Sequence, residues 1–350
     1  MISRSFPVLL AALAFLAGCG GDGEADAEET RPTTAIATER PPPAVGPSIS
    51  VGLVTAVGGP FNMLATEGLE RARAELGVEG RILVSRTSGD YARHLTRLAE
   101  QGFDLLIAAG SSMADAVDTV AKQFPELHFA IVDVAQELLP SNPRNVRGLL
   151  FEEEEAGYLV GYLAGLVTRH EAGSKQVIGS VGGAKRPSVD RYIAGYRAGA
   201  RRANPKVVAL NAYSDDFVDQ AKCKELALDQ MGRGARIVFH VAGRCGLGVL
   251  AAASEQNLYG IGVDFDQSHL GPHVLASALK RVDVAVFQTI QAEQEGAFAG
   301  GEDSVFDVAS GGVGIGEIAP DVPPDIVSRV NAIEDALAAG EITSIPETVG

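Results

Sequence analysis

The sequence predicts an α/β protein of two doubly wound lobes, each built on a parallel sheet, with a cleft between them. Short apolar runs alternate with amphipathic helical stretches in steps of about 25 residues, which is typical of parallel strands joined by right-handed crossovers. This alternation occurs twice along the chain. About 300 residues follow the N-terminal segment, which is enough for two domains of ordinary size. A composition that is 46% hydrophobic, with 41 glycines and no tryptophan, agrees with this class.

The first series of elements begins at Ser50 and ends at Asp133. Strands are expected where short apolar runs are bounded by turn residues, and helices where apolar residues recur with a helical period. The expected strands are 50–56, 81–85, 105–109 and 128–133, and the expected helices are 64–76, 91–101 and 113–124.

The second series follows Phe151 and repeats the pattern. Its expected strands are 176–181, 207–212, 237–241, 259–263 and 276–280, and its expected helices are 153–168, 189–202, 219–231, 247–256, 282–295 and 324–339. The acidic run at 152–155 is interpreted as a helix start, where the helix dipole favours negative charge. We expect an N-terminal lobe of 49–146 plus 278–298 and a C-terminal lobe of 147–277 plus 299–350. The two lobes are then joined by three crossings of the chain.

Residues 1–18 have the pattern of an export signal. Arg4 precedes an apolar run at 8–16, which is too short to span a membrane as a helix of about 20 residues, and Cys19 follows small residues. This position predicts a bacterial lipoprotein in which the Cys19 thiol is diacylated and the signal is cut before it, so that Cys19 becomes the new N-terminus. In the alternative, an ordinary secretory signal, the cysteine is incidental. Residues 19–48 are expected to be a lipid anchor and a disordered linker. The protein is therefore expected at the cell membrane, facing the periplasm or the cell surface.

The charge balance excludes several classes of partner. The formal net charge is −16, from 45 acidic and 29 basic residues, so the basic footprint needed to bind nucleic acid or anionic lipid is missing. The glycine-rich run at 311–316 is not followed by the helix that a nucleotide fingerprint requires. His269 and His273 have a spacing that could suit a metal, but Gly271 and Pro272 between them disfavour it. No cofactor or metal is expected.

Candidate binding residues follow the predicted strands, because ligands of doubly wound sheets bind outside the carboxyl ends of the strands. These candidates are Phe61, Asn62, Asp133, Phe217, Gly243 and Asp264. The two phenylalanines are suited to stack on the faces of a flat ring, at about 1–3 kcal/mol each for a nucleobase. The two aspartates are acceptors for ring N–H groups or sugar hydroxyls. For either phenylalanine alone, packing at a loop edge is the alternative.

Several ordered motifs resemble the basic membrane protein family. They are LLIAAG at 105–110, MADAV at 113–117, FAIVD at 129–133, FEEEEAGYL at 151–159, VGG at 181–183, Phe217 with AKCKE at 221–225, VAG at 241–243 and GVDFDQ at 262–267. The resemblance covers roughly residues 49 to 346. Members of this family are substrate-binding lipoproteins of ABC importers, and the best-understood ones bind purine nucleosides. The resemblance implies a type I periplasmic-binding-protein fold with a three-stranded hinge.

The resemblance also implies roles for individual residues. It implies that Phe61 and Phe217 stack on the two faces of the base and that Asp133 accepts a hydrogen bond from the base edge. It further implies that Asp264 and Lys280 hold the ribose hydroxyls and that the loop at Gly243 packs against the ligand. Asn62 is expected in the same site. For Lys280 the alternative is a structural salt bridge with Asp264 or Asp266.

The sequence departs from the family at one point. Relatives carry an aspartate after the first strand and a longer loop with an Asn-Asp or similar pair, whereas this chain has Ala56 and a short Gly58-Gly59-Pro60 turn. Because unpaired polar groups cost about 1–3 kcal/mol each, this loss is expected to change which ligand binds.

Cys223 and Cys245 are the cysteines that remain beyond Cys19. Cys223 lies in the first turn of a predicted helix and Cys245 just after the next strand, so both lie at one edge of the sheet. An exported location favours a disulfide between them, and two free buried thiols are the alternative.

These observations lead to one functional expectation. The chain is expected to capture a small molecule, a purine nucleoside in the first instance, and to deliver it to an ABC permease that has a separate ATPase. It is expected to act as a monomer and not as an enzyme. A sensor or scavenging lipoprotein of the same fold, with a non-nucleoside ligand, is the alternative.

Overall fold

The computed structural model describes residues 48–170 and 176–350. The expected signal, Cys19 and nearly all of the expected linker lie outside the described residues. Within the described ranges, no helix has the length and apolar character needed to cross a membrane.

Strands and helices alternate along most of the chain. The strands are β1 Ser50–Ala56, β2 Glu79–Ser85, β3 Leu105–Ala108, β4 His128–Val132, β5 Val146–Phe151, β6 Val177–Gly182, β7 Val208–Ala209, β8 Ala212–Tyr213, β9 Ala235–Val241, β10 Tyr259–Asp264, β11 Val274–Lys280, β12 Asp303–Phe306 and β13 Val313–Ile315. The helices are α1 Pro60–Leu76, α2 Gly89–Glu100, α3 Ala114–Gln123, α4 Glu153–His170, α5 Pro187–Ala203, α6 Gln220–Gly232, α7 Leu247–Glu255, α8 Val282–Gln294 and α9 Pro324–Ala338.

The described strands form two sheets. The first has the order β12-β5-β4-β3-β1-β2, and all of its pairs are parallel. The second has the order β13-β11-β10-β9-β6-β7, with β8 beside β6 and with β13 antiparallel to β11. The apolar strands β3 and β9 are almost entirely buried, because helices cover both faces of each sheet. The predicted α/β class with two doubly wound lobes is confirmed.

Three segments belong to a different sheet from the one that the expected lobe division gives them. Residues 278–280 of β11 pair with β10 and β13 in the second sheet and not in the first, whereas residues 147–151 and 303–306 pair with the first sheet and not with the second. The strand β5 pairs with β4, and β12 pairs with β5 so that Phe306 lies opposite Phe151, with their ring centroids 5.3 Å apart. The sequence conceals β5 because Arg147 and Gly148 interrupt its apolar run. In the described part, the chain passes between the sheets three times: after β5, between β11 and α8, and between β12 and β13.

The crossing helix α4 is buried along almost its whole length and packs closely on α5. The helix α8 packs on α1 of the first lobe, as the sequence predicts. This arrangement brings the start of α4, the start of α5 and the end of β11 to the same end of the cleft.

Candidate functional site

A cavity of about 350 Å³ lies between the carboxyl ends of the two sheets. It is lined by all seven candidate residues: Phe61, Asn62, Asp133, Phe217, Gly243, Asp264 and Lys280. The first three belong to the first lobe and the others to the second. The cavity falls within the ~300–1,000 Å³ that small-molecule sites usually occupy.

The two aspartates occupy matching positions in the two lobes. Asp133 directly follows β4 and Asp264 ends β10, and both adopt a left-handed backbone, with φ of 67° and 68°. This conformation is sparsely populated by residues other than glycine, although aspartate adopts it more readily than most. It turns the chain sharply at the sheet edge and leaves both carboxylates at the cavity wall.

Lys280, the last residue of β11, forms a buried ion-pair cluster. Its Nζ donates to Asp133 Oδ1 at 2.6 Å and to Glu153 Oε1 at 2.7 Å, and the residue is 2% exposed. The ammonium also lies 4.7 Å from the ring centroid of Phe151. The partners are therefore Asp133 and Glu153, and not Asp264 or Asp266, which the structural alternative names.

The charged groups in this cluster shift one another's pKa values. Burial alone would lower the pKa of Lys280, but Asp133 and Glu153 outweigh it and hold that pKa above its ordinary value. Burial raises the pKa of Glu153, and Lys280 opposes the rise. Glu153 Oε2 has no hydrogen-bond partner in the described part of the chain, and the nearest guanidinium nitrogen, Arg191 Nη1, is 3.7 Å away.

Asp264 is the carboxylate of this site that Lys280 does not bind directly. Burial raises its pKa to about 6, the charge of Asp133 adds to the rise, and Lys280 opposes it. Within the described ranges no strong donor pairs with the Asp264 carboxylate, and a ligand hydroxyl or N–H group would supply one.

A disulfide and a hydrogen bond hold the loop that carries Phe217. Cys223 and Cys245 are bonded with their Cα atoms 5.5 Å apart, which confirms the predicted pair. The N–H of Cys245 donates to the Phe217 carbonyl oxygen at 3.1 Å. Gly243 has a φ of 53°, and a Cβ there would lie 3.3 Å from the same carbonyl oxygen, so a larger residue would displace Phe217.

Asn62 presents an acceptor to its surroundings. Its Nδ2 donates to the Gly58 carbonyl at 2.7 Å, and since a carbonyl accepts only, this contact fixes which amide atom faces it. The other atom, Oδ1, is buried and has no hydrogen-bond partner among residues 48–170 and 176–350. A group that pairs with Asn62 must therefore be a donor.

The start of α5 contributes cavity residues that sequence reasoning missed: Arg186, Ser188, Val189 and Tyr192. The Arg186 guanidinium lies 5.4 Å from the Phe217 ring centroid. Tyr192 is 2% exposed, and its hydroxyl has no hydrogen-bond partner within the described ranges. The sequence did contain a signal for these residues. They follow the end of β6 at Gly182, and ligands of doubly wound sheets bind outside the carboxyl ends of the strands.

Each of the two lobes contributes strand ends, a phenylalanine and an aspartate to one cleft. This arrangement is that of a small-molecule binding protein of the type I periplasmic fold. The family model for ABC transporter substrate-binding protein PnrA-like matches residues 52–346, and the chain belongs to this family. The chain is thus a substrate-binding component of an ABC transporter and not an enzyme.

Two relatives and two solved structures illustrate the similarity. The CD4+ T-cell-stimulating antigen of Listeria monocytogenes is 31% identical over 324 residues, 85% of this chain and 88% of the relative. The ABC transporter nucleoside-binding protein BmpA of Lactococcus lactis is 30% identical over 278 residues, which cover 73% of this chain and 77% of the relative. An ABC transporter solute-binding protein from Aeropyrum pernix superposes with a TM-score of 0.72 at 26% identity, covering 85% of this chain and 94% of that one. A glucose-galactose binding protein from Geobacillus stearothermophilus shares the fold, with a TM-score of 0.55 at 15% identity. The superposition covers 79% of this chain and 99% of that one.

Proposed function

We propose that this chain is a lipid-anchored, extracytoplasmic receptor that captures a nucleoside between its lobes and delivers it to an ABC permease. The observation that carries the proposal is the pair of phenylalanines, Phe61 and Phe217, which line one cavity from opposite lobes. Asp133 and Asp264 line the same cavity. Stacking on both faces recognises a flat ring, and the carboxylates accept hydrogen bonds from its edge and from a ribose.

Two further points support a nucleoside. A relative at 30% identity is described as nucleoside-binding. In the described part of the chain the cavity lining holds two carboxylates, Asp133 and Asp264, and two cations, Lys280 and Arg186. This balance favours a ligand without net charge. Delivery requires that the lobes close on the ligand, and the three crossings between the sheets are suited to act as the hinge.

A different ligand is the second candidate, and Ala56 is the observation that favours it. Ala56 lines the cavity at the end of β1, where it offers a methyl group and no hydrogen bond. A sensor or scavenging lipoprotein for a non-nucleoside ligand would have the same fold.

A thermal-shift screen of the full-length chain against purine and pyrimidine nucleosides, free bases, sugars and amino acids tests the proposal. A ligand at 100 times its Kd stabilises the fold by about 2.7 kcal/mol. We expect stabilisation by nucleosides in the unaltered chain and its loss in Phe217→Ala and Asp264→Ala. The exposed Val208→Ala, on the edge strand β7, is the matched control. Stabilisation by another class alone would refute the nucleoside assignment and favour the second candidate.

A further inference from the structure

A second, mainly apolar groove of about 280 Å³ lies beside the ligand cavity on the first lobe. Its walls include Ala56, Asn62, Met63, Thr66 and Val84, together with the exposed Glu67. It runs between the start of α1 and the end of the edge strand β2. Nothing in the function proposed above uses it.

The groove and the cavity share a wall. Ala56 and Asn62 line both of them. Ala56 has only a methyl group, and the amide of Asn62 is held back by the Gly58 carbonyl, so this wall carries no long side chain that reaches across. A Cβ placed on Gly58 or Gly59 would meet no atom within 4 Å, so the turn above the wall also leaves space.

Exposed apolar side chains are concentrated at this corner of the molecule. Met63 is 62% exposed and Val84 is 52% exposed, and both line the groove. Val57, which directly follows Ala56, is 61% exposed. Clustered apolar surface on a folded protein marks a place where something binds.

The geometry of the sandwich indicates what binds there. Phe61 directly precedes Asn62 in the first turn of α1, and both line the cavity together with Ala56. A ring stacked on Phe61 would therefore lie beside the wall that the groove shares and could turn one edge towards it. A substituent on that edge would cross the wall at Ala56 and lie against Met63 and Val84.

We propose that the groove is an extension of the ligand site that takes an apolar substituent carried on the base of a nucleoside. This inference rests on the proposed function and narrows it to base-modified nucleosides. Such a substituent gains affinity by leaving water for the apolar wall, whereas an unmodified base leaves the groove empty.

Calorimetric titration of the full-length chain with two pairs of ligands tests the inference: adenosine against N6-benzyladenosine, and guanosine against N2-benzylguanosine. We expect one benzylated nucleoside to bind at least tenfold more tightly than its parent. In Met63→Asp and in Val84→Asp we expect the affinity ratio of the benzylated nucleoside to its parent to fall to between about one and two, because each substitution replaces an apolar side chain that the benzyl group would contact with a charged one. The control Val208→Asp, with a valine 54% exposed on β7, should keep the full ratio.

The outcomes separate the two proposals. If a parent nucleoside binds but neither benzyl group improves its affinity, the groove is not part of the site and the nucleoside assignment stands. If the advantage survives both Met63→Asp and Val84→Asp, the substituent lies elsewhere and the inference is wrong. If no nucleoside of either kind binds, the nucleoside assignment fails and the inference fails with it.

Discussion

Replacing Lys280 with methionine should strongly destabilise the fold, although methionine fits the same space. Lys280 is 2% exposed and pairs with Asp133 and Glu153, whose side chains are 15% and 2% exposed. Lys280→Met leaves these two carboxylates in the interior without their common cation. Removal of one partner from a buried ion pair costs about 3–5 kcal/mol, because the remaining charge cannot be solvated.

The chain offers a matched control for this change. Lys224 pairs with Glu255 at 2.7 Å, the same distance as the Lys280–Glu153 pair, but those side chains are 35% and 54% exposed. Exposed pairs contribute about 0.2–1 kcal/mol, so Lys224→Met should have a small effect. Urea unfolding of both variants at pH 7.5 measures the difference. Equal effects of Lys280→Met and Lys224→Met would refute the reasoning from burial.

The pH dependence of the loss provides a second check. Burial raises the pKa of Glu153 and the Lys280 ammonium opposes that rise, so without the ammonium the pKa of Glu153 in the folded state rises further above its unfolded value. The folded state then binds more protons than the unfolded state over that window, so the stability of Lys280→Met falls as pH rises. In the unaltered chain, the pKa of Lys280 is raised, so its contribution is fully present at both pH 5 and pH 7.5. The penalty of Lys280→Met should therefore be smaller at pH 5, and Glu153→Gln in the same chain should recover part of it.

Three further predictions concern the cleft. If the ionised form of Asp264 binds the ligand hydroxyls, its pKa of about 6 predicts roughly tenfold weaker binding at pH 5 than at pH 7.5. Asp264→Asn should abolish that dependence, and an unchanged profile in Asp264→Asn would contradict the assignment. Phe217→Ala should weaken nucleoside binding by about 1–3 kcal/mol in calorimetry, and an equal Kd would exclude stacking on this ring. Replacing both Cys223 and Cys245 with serine should lower the free energy of unfolding by about 3 kcal/mol, since the bond closes a loop with a sequence separation of 22. Unchanged urea unfolding of that double variant would show that the bond adds no stability.

The fold could be predicted wherever a buried strand is continuous and apolar. The strand β1 is expected and observed at the same residues, because its apolar run is bounded by turn residues. The strands β5 and β12 were missed for a physical reason. The edge strand β12 is only partly buried, so burial does not impose an apolar pattern on it, whereas β5 is mostly buried and was concealed because Arg147 and Gly148 interrupt its apolar run. Their pairing was therefore decided by tertiary contacts.

The site divides in the same way. The six candidates that follow strand ends were predictable because the fold class determines which loops meet, whereas Lys280 was implied by the family resemblance; all seven line one cavity. The partners of Lys280 were not predictable. Glu153 is 127 residues away in the sequence and stands in an acidic run that equally suits an exposed helix start. In the structure it is 2% exposed and acts as a counter-ion, which only the packing of α4 against the end of β11 brings about.

The charged and hydrogen-bonding groups of the cleft limit the chemistry of its ligand. Lys280 donates to Asp133 and to Glu153, whereas Asp264 has a raised pKa and receives no comparable hydrogen bond from residues 48–170 and 176–350. On the first lobe, Asn62 offers only an acceptor atom. A ligand that pairs with Asn62 and Asp264 must therefore supply N–H or O–H donors. Arg186, whose guanidinium lies 5.4 Å from the Phe217 ring centroid, is a second cation of the lining beside Lys280. The two cations balance the carboxylates of Asp133 and Asp264, so the cavity favours a ligand without net charge. Nucleosides combine such donors with a flat ring for Phe61 and Phe217, whereas sugars lack the ring and nucleotides carry net charge.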